Sequence, residues 1–515
     1  RRTFLKILSS AGIVSLVSPT FAMEVCKNKV SKSSSALLES AFRNPPFSSG
    51  VYTWWHWMNG NITKDGITRD LEAMKANGIA GYQLFEAGSG IPIGPVESLS
   101  DEWVDLILHT LKESERLGLE FAMHNCPGWS SSGGPWITPD KAMQIITWSE
   151  TKITGGKQVR IQLPTPKHMF DYYIDTYCLA IPANMKVIPR LSILELSNRL
   201  DKDGVLTWDV PTGEWLIMRF GQTAKDQKNK SAPSKSTGLD CDKFSTEALD
   251  YHLNCMFKRL MPAMEKIAKH SKIGLLIDSY ETGDQDWTSD MPAYFEQSHG
   301  YELYPFLPVL ANKIVESEES TKRFLFDFRR VRADMFAERY YGHFQKRCKE
   351  KGIITYTEPY GGNMMEELQV AQQLDINMGE FWCGQTVLWA NYKYNRTVKQ
   401  VASIAHTLGG KVVGAEAFTS EPDADKWLQY PYALKSLGDY MFTRGLSRIY
   451  FHRFAHQPHP TAAPGMTMGA WGLHFDRTNT WWKPGKAWIE YLNRCQYIFQ
   501  SSTFYGDILY HNGDD

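Results

Sequence analysis

Two glutamates close apolar runs in a way that a solvated surface does not require. Glu416 lies in "KVVGAEAFTS" (411–420), where Val412 and Val413 lead to Ala415 and the acid falls between small and aromatic neighbours. Glu281 ends "KIGLLIDSYE" (272–281) in the same manner. One buried carboxylate is most simply half of an ion pair. Two that flank a single cleft could cleave a glycosidic bond: one acid, its pKa raised by its setting, protonates the leaving oxygen, and the other is the nucleophile or activates water. Other chemistries lack their parts. The chain has no G-x-S-x-G elbow, no H-E-x-x-H and no P-loop lysine, and its eight cysteines are scattered without a C-x-x-C pair.

The elements that must carry these acids alternate along the chain. "VYTWWHW" (51–57) predicts a strand, and Ile67, Leu71 and Met74 then recur at helical spacing up to Gly78. Strands follow at 79–88 and 119–125, separated by a helix capped at Ser100 and ended by Gly118. Between about 150 and 240 the rhythm changes to short alternating runs such as "QVRIQL" and "EWLIMRF", which predict a small inserted β domain. The alternation then resumes, with helices around 245–270, 321–351, 363–373, 397–410 and 431–445, and strands at 272–281, 352–360, 375–382, 411–418 and 446–454. Eight strands alternating with helices predict an α/β fold, a closed (β/α)8 TIM-type barrel with the β domain inserted after the third strand. A doubly wound open sheet is the second choice, although no G-x-G-x-x-G follows a strand. The expected divisions are a first barrel part at 45–149, the inserted β-rich domain at 150–240, a second barrel part at 241–460 and a C-terminal extension at 461–515 that reads as truncated.

In such a barrel the chemistry lies where strands end. The strand ends carry Glu86, His124-Asn125, Asp278 with Glu281, Glu358, Glu380, Glu416 and His452-Arg453. Apolar strands would bear the cost of desolvating so many acids, which points to a shared cleft. Glu281 and Glu416 end the fourth and seventh strands, nearly opposite across the mouth.

Several long stretches resemble glycoside hydrolase family 106, the bacterial α-L-rhamnosidases. They are "WWHWMNGNITKDGITRDLEAMKANGIAGYQLFE" (54–86), "AMHNCPGWSSSGGPWITPDKAM" (122–143), "GLDCDKFS" (238–245), "IDSYETGDQDWT" (277–288), "AEAFT" (415–419) and "PGMTMGAWGLHFDRTNTWW" (464–482). The resemblance implies a (β/α)8 catalytic domain, an inverting mechanism, and a calcium ion that helps to hold rhamnose hydroxyls. It matches Glu281 to the family's general acid and Glu416 to its general base. The spacing alone leaves the stereochemistry open, so a retaining β-glycosidase, or a carbohydrate-binding protein without turnover, remains an alternative. Within the family-like motifs, His56, Asn59, His124, Asn125 and Glu358 are expected to bind substrate hydroxyls or to orient the groups that do. Trp129 is expected either to stack on a sugar or to belong to the core, and Glu86 and Asp278 are candidate calcium ligands. His452, His456 and His459 in "FHRFAHQPHP" have spacings open to a transition metal, but two nearby prolines favour a loop lining the mouth.

Bulk composition fits an uncharged partner. A formal net charge of −1 provides no field for nucleic acid or an anionic membrane, and no apolar run is long enough to span a bilayer. Seventeen tryptophans supply flat faces suited to pyranose C–H surfaces, as well as to a core. The expected partner is an oligo- or polysaccharide containing rhamnose. "RRTFLKILSSAGIVSLVSPTFAME" opens the chain and resembles a twin-arginine signal over residues 1–22, which predicts export to the periplasm, the cell surface or the medium of a bacterium.

Overall fold

Runs that are apolar on both faces need cover on both faces, and a ring of parallel strands surrounded by helices supplies it. The computed structural model describes residues 32–88, 90–129, 132–383, 387–422, 426–469 and 471–510; the export signal expected at 1–22 lies outside them. A unit ending at Pro46 contains the helix Lys32–Arg43, and everything below concerns the unit that starts at Phe47. Its eight parallel strands are β1 (Tyr52–Met58), β2 (Gly81–Ala87), β3 (Glu120–His124), β4 (Ile273–Ile277), β5 (Ile354–Thr357), β6 (Ile376–Cys383), β7 (Val413–Ser420) and β8 (Arg448–Ala455). They close in the order β1-β8-β7-β6-β5-β4-β3-β2, the barrel that the alternation predicts.

The period of two divides each strand between two environments. Trp55, Leu84, Met123, Ile277, Ala415 and Phe451 face the helices and join the main core. Trp54, Phe85, Ala122, Leu276, Tyr356, Met378 and Tyr450 face inward and form a separate apolar cluster inside the ring. That cluster is the floor of the mouth.

The helices fix the strands from outside. Thr63 caps α1 (Lys64–Ala76) by accepting from the Gly66 N–H, and Ser100 caps α2 (Asp101–Leu117) through the Trp103 N–H. On β6, a Cβ at Gly379 would lie 2.5 Å from the Val398 nitrogen, so this residue must be glycine for the helix Val387–Leu408 to pack as it does. The contact is used: Thr397 Oγ1 accepts from the Glu380 N–H at 2.9 Å, which fixes the backbone that carries Glu380.

Three elements differ from expectation. The helix predicted at 245–270 is two helices, Thr246–Phe257 and Met261–Ala268, because Pro262 at the start of the second cannot continue the first. The helix predicted at 321–351 contains a π-helical stretch, Phe336–Gly342, between Glu318–Met335 and His343–Lys349. The segment expected as a C-terminal extension contains α3 (Lys486–Ser501), which docks between β1 and β8. Its Asn493 accepts from Val51 N–H and donates to Gly78 C=O, while Gln496 accepts from Ile449 N–H and donates to Ser49 C=O.

Between β3 and β4, the strands Gln144–Thr154, Glu214–Ala224, Ile174–Pro182 and Leu194–Glu195 form an antiparallel sheet, beside a pair made by Lys157–Gln162 and Val205–Val210. Alternation again sets the packing. Leu179, Ile181, Leu216 and Met218 join the main core, while Cys178, Ala180, Ile217 and Trp208 form a smaller one. The β-rich segment therefore shares its larger face with the barrel's helical layer.

The connection after β8 is held by Asp70 of α1, which is fully buried. Asp70 Oδ2 accepts from Trp55 Nε1, His456 Nδ1 and the Gln457 N–H, and its Oδ1 accepts from Arg477 Nε at 2.7 Å.

Candidate active site

Two residues beyond Trp54, Ala122, Leu276, Tyr356, Met378 and Tyr450 the strands present a further inward side chain and the composition becomes mostly polar, with Phe85 of the floor cluster standing at this level beside His56. The ring reads His56, Phe85, His124, Asp278, Glu358, Glu380, Glu416 and His452, one from each strand or its end, all buried. Phe85 lies between two imidazoles, 5.1 Å from His56 and 5.3 Å from His124, near-parallel to both. Trp129 packs against the floor cluster from above β3, so it lines the mouth and touches the core at once.

The four acids stand together. Glu380 and Glu416 are direct neighbours in the parallel register of β6 and β7, and ligand oxygens of Glu358, Glu380 and Glu416 all lie within 4.8 Å of one another. Burial, followed by repulsion from Glu380 and Asp278, pushes the Glu416 carboxyl well above the usual range, against a hydrogen bond from Thr419. Glu358 is raised by burial and then by Asp278 and Glu416, although Tyr360 donates to it. Asp278 is raised chiefly by burial, with Glu281 adding repulsion. Such a set of hard oxygen donors at close range fits a calcium ion.

The histidines are neutral. Burial lowers His124 to about 4 and His452 to about 3, and pushes His56 well below its usual value. His124 bonds the Cys126 carbonyl through Nδ1 at 2.8 Å and accepts from the Asp278 N–H through Nε2 at 3.4 Å, which ties β3 to the end of β4.

Glu281 is placed differently from Glu416. It lies beyond the end of β4 with its side chain 44% exposed and 3.7 Å from Lys230 Nζ, while its charge is felt at both Asp278 and Glu416. The mouth therefore holds four deep acids, Glu416 among them, and Glu281 at the rim.

Other sequence candidates serve the scaffold. Asn125 donates to the Leu276 carbonyl and accepts from Ser132 and His252, so its amide holds the turn after β3 instead of facing the mouth. Asn59 donates to the Ile91 carbonyl at 2.6 Å and organises the loop after β2. Glu86 is not brought to Asp278: with Phe85 facing inward, Glu86 faces α2, where Oε2 accepts from Ser98 Oγ at 2.8 Å. His452, His456 and His459 diverge, the first to the mouth, the second to Asp70 and the third to an exposed loop where it accepts from Thr461 and Ala462. Glu380 received no role from the sequence, and His452, expected in a loop lining the mouth, lies in β8 instead, although inward parity from Met378 and Tyr450 marks both.

Comparison with known proteins fits this geometry. The family described as alpha-L-rhamnosidase, glycoside hydrolase family 106, matches over residues 43–177 and 167–515. A protein of Formosa agariphila named "Putative beta-glucuronidase" is 40% identical over 508 residues, covering 93% of this chain and 43% of that protein. The structure of a rhamnosidase from Novosphingobium sp. PP1Y superposes with a TM-score of 0.83 at 24% identity, covering 90% of this chain and 60% of that one. The chain thus spans less than two thirds of either relative. With the family matched over nearly its whole described length, the chain belongs to glycoside hydrolase family 106, the alpha-L-rhamnosidase family.

Proposed function

We propose that this chain is a glycosidase that releases α-L-rhamnose from rhamnose-containing glycans with inversion at the anomeric carbon. The observation that carries the reading is the pairing, at one barrel mouth, of a deep carboxyl, Glu416, with a rim carboxyl, Glu281, that it senses electrostatically. Glu281, open to solvent and to an incoming aglycone, protonates the leaving oxygen; Glu416 takes a proton from the attacking water. His56, His124 and Glu358 surround the position where the sugar hydroxyls would lie, and Trp129 offers apolar surface to its C–H face. Calcium belongs to the same proposal: Glu358 and Glu380 would hold it, with an oxygen of Glu416 in reach, and when bound it would neutralise the acids and bind hydroxyls. Export, with hydrolysis outside the cytoplasm, completes the reading; no helix among the described residues is long and apolar enough to cross a membrane.

The relative's name raises a glucuronide as a second substrate. The eight ring side chains include four carboxyls and no lysine or arginine, so a uronate there would depend on a bound cation or on Arg453, whose charge is felt at His56 and His452.

Incubation with calcium and an aryl α-L-rhamnoside tests the proposal, with the first-formed anomer followed by NMR. β-Rhamnose should appear first. The α anomer would exclude inversion, and no release would favour a binding protein. Glu281→Gln and Glu416→Gln should each lower kcat by about 10³-fold or more with the fold intact.

A further inference from the structure

His452 ends in the mouth with a nitrogen that no hydrogen bond from the described residues satisfies. Its side chain is 9% exposed, and Nδ1 has no hydrogen-bond partner. The ring is nonetheless held firmly: it meets Trp54 edge-on at 5.3 Å and 80°, and His56 at 5.7 Å and 90°. Gly472 flanks the same Nδ1–Cε1 edge, and its missing side chain leaves that edge open. A Cβ there would lie 2.7 Å from Nδ1, and Gly472 has a φ of +78°. Backbone hydrogen bonds from Gly472 to Ser420 and from Leu473 to His452, each 2.8 Å, fix that approach. A ring packed this closely, with one polar atom left over, is aimed at something.

Nδ1 faces Glu416 Oε1 across 3.7 Å, too far for a direct hydrogen bond and within reach of one small molecule shared by both atoms. We propose that His452 is a water-positioning residue, its unprotonated Nδ1 and the Glu416 carboxylate together accepting the two hydrogens of the attacking water. The inference rests on the hydrolytic reading in which Glu416 is the base.

Two acceptors on one water direct its lone pair away from both, toward the anomeric carbon above. As the water oxygen bonds to that carbon, the bond to the aglycone oxygen breaks and takes its electron pair. One water proton passes to Glu416, the other stays on the new hydroxyl donated to His452, and Glu281 supplies the proton that the leaving oxygen needs. No co-reactant is required. A carboxylate alone would leave the water free to rotate about a single hydrogen bond, and orientation of the attacking atom is a large part of what an enzyme contributes.

The test uses His452→Asn and His452→Gln on an aryl α-L-rhamnoside that the wild type cleaves. Asparagine places its Oδ1 where Nδ1 stands; glutamine carries its amide one bond further, past that place. H452N should keep kcat within about fivefold of wild type, and H452Q should lose about 10- to 100-fold in kcat with KM within about threefold. A merely structural histidine would give two variants that fall together, and that result, or an H452Q as active as H452N, would overturn the role. Glu416→Gln is run beside them. If it turns over normally, the base assignment fails and the water role with it; if it is inactive while H452Q is fully active, the water role alone fails.

Discussion

A carboxyl turned toward a helix instead of water gives up its proton less readily, and Glu86 is such a case. Burial raises it to about 7, against the hydrogen bond from Ser98 and the nearby Trp103 indole. A carboxyl whose folded value lies above its unfolded one contributes stability that is complete below the unfolded value, near 4.5, and is lost as pH rises through about 7. Glu86→Gln keeps the shape and cannot ionise. The wild type should therefore lose up to ~3 kcal/mol relative to this variant between pH 5 and pH 8, read from urea unfolding across that range. Parallel pH curves for the two proteins would show that Glu86 ionises freely in the folded state. The same residue shows where reading a sequence by strand ends stops. An acid at the end of an apolar run was legible at 86, 278, 281, 358, 380 and 416, but which way each one points depends on parity with its neighbours. Phe85 inside puts Glu86 outside, and that follows only once Phe85 is known to be inside.

At the scale of elements, the barrel was legible because each strand is a short apolar run bounded by turn signals, and because helix ends carry their own residues, Ser100 and Gly118 among them. α3 was only half legible, for a physical reason: Trp488, Ile489 and Leu492 join the core in its first half, but the face that it turns to the barrel in its second half is polar. Asn493, Gln496 and Gln500 lie at helical spacing and satisfy backbone groups at the ends of β1 and β8, work that apolar residues cannot do. Hydrophobic periodicity finds Trp488, Ile489 and Leu492 and then loses the buried face at Gln496. Gln496 is fully buried, and Gln496→Leu would leave the Ile449 N–H and the Ser49 carbonyl short of a partner. The expected cost is ~2–4 kcal/mol, measured as a lowered urea midpoint. A variant as stable as wild type would mean that water replaces the amide and that α3 is held by its apolar contacts alone. The breaks within the other helices have equally local causes. Pro262 was readable as an interruption, whereas the π turn before His343 inserts one residue into the helical count without a marker in sequence.

On the scale of the whole molecule, closure of the ring creates something that no stretch of sequence contains. Asp278, Glu358, Glu380 and Glu416 come from four successive strands separated by up to 80 residues, and only the barrel brings them together, so no short motif could announce them. Their assembly has an energetic consequence. Burial and mutual repulsion raise Asp278, Glu358 and Glu416, so the folded state works against these acids near neutral pH, and β4 to β7 are the strands that bear the strain. A divalent cation of the right size would reverse this, because it binds the folded arrangement and finds no such cluster in the unfolded chain. The set is all carboxylate oxygen, and calcium accepts such donors in flexible geometry whereas magnesium keeps most of its water, which favours calcium. Calcium at about 100 times its dissociation constant should therefore add ~2.7 kcal/mol, seen as a higher thermal midpoint that EGTA reverses and equimolar magnesium does not reproduce. Glu358→Gln and Glu380→Gln should each abolish most of that shift, whereas Glu86→Gln, on the outer face of β2, should leave it unchanged. Identical melting in calcium and in EGTA would remove the cation from this cluster, and an unchanged shift in both ring variants would place it elsewhere.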